Sequence, residues 1–308
     1  MLKIYQNTLK KPVTFEGKGL HTGRYAKIKI FPGKENKGII FKRVDLNEKN
    51  LIKACYKNVK SAKLCTTLSN ENGVKVSTVE HLLAALYLAE IDNALIEIDN
   101  EEVPIMDGSS KEFFEVLQDS EIKVQNSKRK YLKILEKIEL IDKERKIYIE
   151  PSSTNFEVMF QLNYKNKTIG KQRNNINFLK DNLEDIYSSR TFCLFEDIEK
   201  IKKIGLAKGG SLKNAIVVDK EKILNTEGLR NKKEFVNHKI LDLAGDFLLS
   251  GYRVLGKVNC YQGGHELTNN FLKEIFKSKS AYTIIELSEV VITKKASTNH
   301  LNKLAVNA

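Results

Sequence analysis

The stretch Phe235–Asp246, FVNHKILDLAGD, sets His238, Asp242 and Asp246 four residues apart. On a helix this spacing makes one polar stripe, with Val236, Ile240, Leu243, Ala244, Phe247 and Leu248 covering the other side. A His and an Asp one turn apart can reach one cation from the same face. Catalytic zinc needs three protein ligands plus water, and structural zinc needs four. The stripe alone is therefore short of a site, and a solvated amphipathic face accounts for it unless the rest of the chain supplies a third ligand.

The sequence holds five histidines, His21, His81, His238, His265 and His300. His81 follows Glu80 at the start of an apolar run, VSTVEHLLAALYLA. Ser77 and Glu80 have the spacing of a capping box, in which Glu80 would only close the helix end. Beside a metal the same pair does chemistry: the His binds the ion and the Glu takes a proton from water. His265 follows Gly263 and Gly264, so it is either a surface turn residue or a ring exposed in a cleft. If His81 joins His238 and Asp242, the set becomes two imidazoles and a carboxylate, the open arrangement of catalytic zinc. Iron(II) accepts the same donors. Asp246 could then hold a charged His265, and Lys239 would offer a cation to a developing oxyanion.

Those residues must be positioned by two sets of strands and helices. Alternation predicts strands at Val13–Glu16, Ala26–Ile30 and Gly38–Phe41, then at Lys63–Leu68 and Asn93–Asp99. The glycine-rich Gly17–Gly23 is a hairpin turn or a backbone approach to a ligand. Helices are predicted at Val76–Ala89 and, after the turn Asp107-Gly108-Ser109, at Lys111–Leu117. The polar run Glu121–Lys130 marks a boundary, giving units 1–126 and 127–308. Further strands follow at Tyr131–Leu140, Lys146–Glu150 and Asn155–Leu162, a polar loop at Asn163–Asn175, and helical segments at Asp181–Ser189 and Glu196–Ile204. Last come a strand at Asn214–Asp219, helix Glu234–Leu249, a strand at Gly256–Tyr261, a helix from His265 through Phe276 and a strand at Ala281–Leu287. Val79-Glu80-His81-Leu82-Leu83 echoes Val236-Asn237-His238-Lys239-Ile240, each opening a long helix after a set of strands. The pattern suggests an α+β duplication. If the halves pack face to face, His81 and His238 meet at the interface, where ligand sites tend to lie.

Composition narrows the class. The 308 residues are 41% hydrophobic and 30% charged, values of a globular protein. No apolar run is long enough to span a bilayer, and the N-terminal stretch lacks a signal peptide's apolar core. A cytoplasmic protein with at most peripheral membrane contact is expected. The net charge of +13 comes overwhelmingly from scattered lysine. Nucleic-acid recognition would favour arginine forks and aromatic motifs, so an anionic small molecule or lipid surface fits better. Four cysteines, at 55, 65, 193 and 260, form no C-x-x-C pair; they read as reduced thiols.

The chain resembles the UDP-3-O-acyl-N-acetylglucosamine deacetylases of lipid A biosynthesis. The resemblance rests on GLHTG at 19–23, LCT at 64–66, STVEHL at 77–82 and IMDGS at 105–109. It continues in SRTF at 189–192, GGS at 209–211, AIVVD at 215–219, EFV and HKILD within 234–242, and Gly264-His265. The resemblance implies two α+β domains related by a pseudo-two-fold axis and packed face to face. It implies a monomer that removes acetate from the sugar nitrogen of an acylated UDP-sugar, the committed step of lipopolysaccharide synthesis. It implies one zinc on His81, His238 and Asp242, Glu80 as general base and His265 as general acid. Thr191 and Lys239 would assist the oxyanion and Asp246 would support His265. An acyl passage is implied near Phe192, Phe195, Ile198, Ala207, Ser211 and Ala215, with Cys65. Leu194 stands where an aromatic near the nucleotide would be sought. The tail Lys303–Ala308 only loosely resembles the small apolar tail of some members. A different zinc amidohydrolase on the same scaffold and a basic nucleic-acid-binding protein are the competing readings.

Overall fold

The computed structural model describes residues 2–152 and 155–288. His300 and the tail Lys303–Ala308 lie outside the described residues. Alternation builds the first sheet: in strand Tyr25–Pro32, Ala26, Ile28 and Ile30 are buried while Lys27 and Lys29 face solvent. Its five strands run in the order Val13–Lys18, Tyr25–Pro32, Ala94–Ile98, Ile39–Arg43, Leu51–Lys53. Only the contact between Ala94–Ile98 and Ile39–Arg43 is parallel.

The second sheet repeats this plan. Ile138–Asp142, Arg145–Pro151, Arg253–Tyr261, Phe156–Asn163 and Lys171–Asn177 lie in that order, and again only the third contact is parallel. Lys130–Ile134, parallel to Arg253–Tyr261, and Tyr282–Glu286 extend it to seven strands.

The helices are α1 (Glu80–Leu88), α2 (Lys111–Asp119), α3 (Glu184–Tyr187), α4 (Phe195–Lys203), α5 (Glu234–Leu248) and α6 (His265–Lys277). In each half one helix precedes the central strand and one follows it: α1 and α2 flank Ala94–Ile98, and α5 and α6 flank Arg253–Tyr261. The expected α+β duplication is thus present, as a sheet–helix–helix–sheet sandwich. Helix α2 packs on Val13–Lys18 and on α1; α5 and α6 pack on the second sheet; and α1 crosses α5 between them.

That crossing is close because of small residues. A Cβ added to Gly245 would lie 2.2 Å from the Glu80 carbonyl oxygen and 3.0 Å from the Ala84 nitrogen. Leu82, Leu83, Leu86, Phe235, Ile240, Phe247 and Phe271 are fully buried around it, each contributing about 1.5–3 kcal/mol of burial. The helix pair that carries the candidate ligands is therefore closely packed in the core.

Several element boundaries differ from the sequence expectation. Within Lys63–Leu68 only the end is extended, in strand Thr67–Ser69. Tyr131–Leu140 splits into two strands around residues 135–137. The run Glu121–Lys130 holds strand Ile122–Lys128, antiparallel to Tyr5–Leu9, and the loop Asn163–Asn175 holds most of strand Lys171–Asn177. Both are polar edge strands in which one residue alone is buried, Gln125 and Ile176 respectively. Backbone pairing builds such strands, so hydrophobic alternation does not reveal them.

Candidate active site

The entry to α1 is bent by Thr78, whose φ is +56°. A β-branched residue rarely adopts that conformation, at a cost of about 1–3 kcal/mol. Here the Thr78 hydroxyl donates to Glu102 Oε1 at 2.9 Å. The buried Glu102 carboxylate also accepts from the His21 and Thr22 backbone N–H groups and from the Thr22 hydroxyl, all within 2.7 Å. The glycine-rich loop is thus a hairpin connection clamped against the start of α1.

The bend shortens the predicted helix, which begins at Glu80 instead of Val76. The capping box does not form: Ser77 Oγ donates to the Glu101 carbonyl, and Glu80 Oε2 accepts from the Thr66 N–H at 3.0 Å. Freed from capping, the Glu80 carboxylate turns into the cleft between α1 and α5.

His81, one residue on, meets α5 there. Nitrogen or oxygen donors of His81, His238 and Asp242 lie within 4.8 Å of one another, and all three residues are buried. Asp242 Oδ1 is 3.5 Å from His81 Nε2 and 3.4 Å from His238 Nε2. His238 Nδ1 lies 3.1 Å from the Ser189 carbonyl. A carbonyl only accepts, so Nδ1 carries the proton and Nε2 presents its lone pair to the centre. His81 Nδ1 and Asp242 Oδ1 are buried without a hydrogen-bond partner among the described residues. Buried polar atoms are rarely left so. Two imidazoles, one carboxylate and an orphaned acceptor oxygen fit a divalent cation with an open position.

Electrostatics agree with that use. Burial pushes the His238 imidazole down to about 3, leaving it a neutral donor. Burial alone would raise the Asp242 carboxyl, but His238, Lys239 and His265 hold it well below the usual range. Lys239 Nζ sits 2.8 Å from Asp242 Oδ2. Burial works against its charge, yet the Asp242 carboxylate keeps its pKa at about 12.

Further ionisable groups surround the same point. His265 opens α6, with Nδ1 2.8 Å from Asp246 Oδ2 and Nε2 3.6 Å from Glu80 Oε1. Burial disfavours its charge, but Asp246, Glu80 and Asp242 outweigh it and push the imidazole up to about 10. It is therefore a cation at neutral pH. Burial raises the Glu80 carboxyl, with His265 and His81 opposing, which moves it toward the range of a general base.

Seven of the expected residues converge here: Glu80, His81, His238, Lys239, Asp242, Asp246 and His265. Thr191 lies at one side, its N–H donating to the Gly108 carbonyl at 2.8 Å and its side chain lining an apolar cavity. That cavity, of about 360 Å³, is also lined by Phe192, Phe195, Ile198, Ala207, Ser211 and Ala215, together with Leu20 and His21. Cys65 is not among its lining residues. It borders an adjoining pocket with Lys63, Thr67 and Lys75, and His21 lines both spaces. Burial pushes the Cys65 thiol up to about 12, so it stays protonated. A wider cleft of about 1020 Å³ runs past Gly263, Tyr164, Arg145 and Lys165 and meets the apolar cavity at Phe195.

Sequence reasoning did not give a role to three supports. Thr66 donates its N–H to Glu80 and its hydroxyl to Asp246 Oδ1 at 2.7 Å, joining base and acid through one residue. Ser189 sets the tautomer of His238. Arg190, next to it, is fully buried and ion-pairs with the equally buried Glu234 at 2.8 Å, while also reaching Glu227 and the Gly228 carbonyl. Thr66, Ser189 and Arg190 all fall inside the motifs quoted above, and motif membership was the available signal.

A buried carboxylate and a charged imidazole beside a two-histidine, one-carboxylate cluster, between duplicated α+β halves, are the arrangement of a metal-dependent hydrolase. The chain belongs to the UDP-3-O-acyl N-acetylglycosamine deacetylase family, whose model matches residues 6–277. It is 41% identical over 287 residues to the UDP-3-O-acyl-N-acetylglucosamine deacetylase of Syntrophotalea carbinolica, covering 93% of this chain and 92% of that one. The enzymes of the same name from Haemophilus ducreyi and Actinobacillus pleuropneumoniae are 38% and 36% identical, each over 93% of this chain and 94% of their own.

Proposed function

We propose that this chain hydrolyses the N-acetyl group of UDP-3-O-acyl-N-acetylglucosamine, releasing acetate and a free amine for lipid A biosynthesis. The observation that carries the proposal is the convergence of Glu80 and His265 on the His81, His238 and Asp242 donors, between two halves of one family's fold. Residues 1–126 are taken as the unit that supplies Glu80 and His81, and 127–308 as the unit that supplies the rest; the repeated sheet order supports this division.

His81, His238 and Asp242 would hold zinc, which when bound supplies a Lewis acid and makes water nucleophilic at neutral pH. Glu80 removes the attacking water's proton through the oxygen not engaged by Thr66. Lys239 and Thr191 face the oxygen that gains negative charge, an arrangement most effective where water is excluded. His265, kept charged by Asp246, then gives its Nε2 proton to the departing sugar amine. The apolar cavity suits the acyl chain, and the wider cleft beside Gly263, which has Arg145, Lys165 and Lys220 among its lining residues, suits the nucleotide. All four cysteines are free, which supports a reducing, cytoplasmic setting.

The test is acetate release from the acylated UDP-sugar, with free N-acetylglucosamine as control. Release from the former alone, abolished by a chelator and restored by stoichiometric zinc, is the expected result. Restoration by iron(II) alone would change the metal assigned. Equal release from both sugars would remove the specific substrate and leave a general amidohydrolase. Undiminished release from metal-stripped protein would remove the metal mechanism.

A further inference from the structure

Helix α4 has no buried residue, although one of its faces is apolar. Phe195, Ile198 and Ile201 on that face line the apolar cavity. Around the mouth stand large apolar side chains that the protein leaves in water: Ile204 is 60% exposed, Phe195 51%, Leu64 46% and Leu212 43%. Soluble proteins scatter such residues singly. Here Leu64, Phe195 and Leu212 border one cavity, and Ile204 is one helical turn from the cavity-lining Ile201.

Charge is concentrated at the same tip. Lys200–Lys213 reads KIKKIGLAKGGSLK, with five lysines and no acid. Lys200 pairs with Asp197, while Lys202, Lys203, Lys208 and Lys213 are exposed. The acids of α4, Glu196, Asp197 and Glu199, stand in its N-terminal part, before the lysine run. An exposed apolar tip flanked by lysine is the composition of an interfacial anchor on an anionic leaflet.

We infer that the segment Lys200–Lys213 docks this protein on the surface of an anionic lipid bilayer, with Ile204 and Leu212 entering the headgroup layer. The occupant is a lipid surface because lysine spread around an apolar tip complements a charged plane. A protein partner would call for a groove or a shaped pocket at Ile204, and none of the cavities described above is lined by that residue. The inference adds to the deacetylase proposal a place for it: the mouth of the acyl cavity opens where an amphiphilic substrate or product is concentrated. Binding itself does not depend on that proposal.

The experiment is co-sedimentation of the full chain with vesicles of phosphatidylethanolamine containing about a third phosphatidylglycerol, and with vesicles of phosphatidylcholine alone. The chain should sediment with the first and not the second, and added salt should release it. Ile204→Ser should lower the bound fraction at least several-fold while leaving acetate release without vesicles unchanged. Reversal of Lys203, Lys208 and Lys213 to Glu should lower binding by at least about tenfold. The same reversal at the exposed Lys123, Lys128 and Lys130 should lower it far less. Equal loss from the two triple variants would assign binding to the overall charge of +13 and overturn the inference. So would the absence of binding to anionic vesicles, or full binding by Ile204→Ser. Loss of deacetylase activity with vesicle binding intact would count against the proposed reaction alone.

Discussion

Gly245→Ala adds one carbon at the point where α5 meets α1. That carbon would sit 2.2 Å from the Glu80 carbonyl oxygen, where ordinary contact begins at 3.4 Å. The atom it meets is backbone within a helix, so no side chain can swing away. The helices must separate by about 1 Å, and overpacking of this kind costs about 1–3 kcal/mol. The separation acts directly on the centre, because His81 is carried by α1 and His238 and Asp242 by α5, with donors now within 4.8 Å. Metal sites tolerate errors of only about 0.2 Å in ligand distance, and a 1 Å misplacement of catalytic groups costs about 100-fold in rate. Zinc affinity should therefore fall by at least about tenfold and turnover by about 100-fold. Competition against a chelator of known affinity measures the first, and acetate release at saturating zinc the second. Thermal unfolding of the metal-free variant separates a folded, widened site from an unfolded chain. A folded Gly245→Ala protein with unchanged zinc affinity and turnover would refute the claim that this crossing sets the ligand distances.

Glu80→Ala should retain one zinc per chain and lose about 100- to 10,000-fold in kcat, the range of a lost general base; metal loss on purification would make Glu80 a ligand instead. His265→Ala should lower the rate without metal loss. Thr66→Val deletes the hydroxyl that holds Asp246 Oδ1 and leaves a buried oxygen unpartnered, at a cost of about 1–3 kcal/mol. Its kcat should fall with KM and zinc content unchanged, and Thr66→Ser should restore it; failure of the serine variant would assign the loss to packing. The charge on His265 gives the metal-free chain a pH-dependent stability. Its imidazole titrates at about 10 when folded and near 6.5 when unfolded, so the folded state binds the extra proton. That contribution is whole below about pH 6.5 and is lost as pH rises toward 10. Asp246→Asn removes the nearest carboxylate, and the fall in urea stability between pH 7 and 10 should flatten; matching slopes in the two proteins would remove the His265–Asp246 pair as its cause.

The stripe on α5 was legible because helical spacing, apolar partners and metal-donor types coincide in His238, Asp242 and Asp246. Its partner on α1 was harder to read, because Ser77 and Glu80 satisfy a local rule that the fold overrides. The override has a physical source: Glu102 draws Thr78 into a left-handed conformation, the helix starts late, and Glu80 exchanges a capping bond for one from Thr66. Residue 102 is distant from residue 78 in sequence, and no window around Glu80 contains it. The same limit hid Thr66 and the Arg190–Glu234 pair, whose value lies in contacts made across the fold. Removing one partner of such a buried pair costs about 3–5 kcal/mol. Because Arg190 follows the residue whose carbonyl fixes His238, that energy constrains the orientation of a ligand ring. A short window reports which groups can do chemistry, whereas the strain at Thr78 and the buried charge at Arg190 determine which way those groups point.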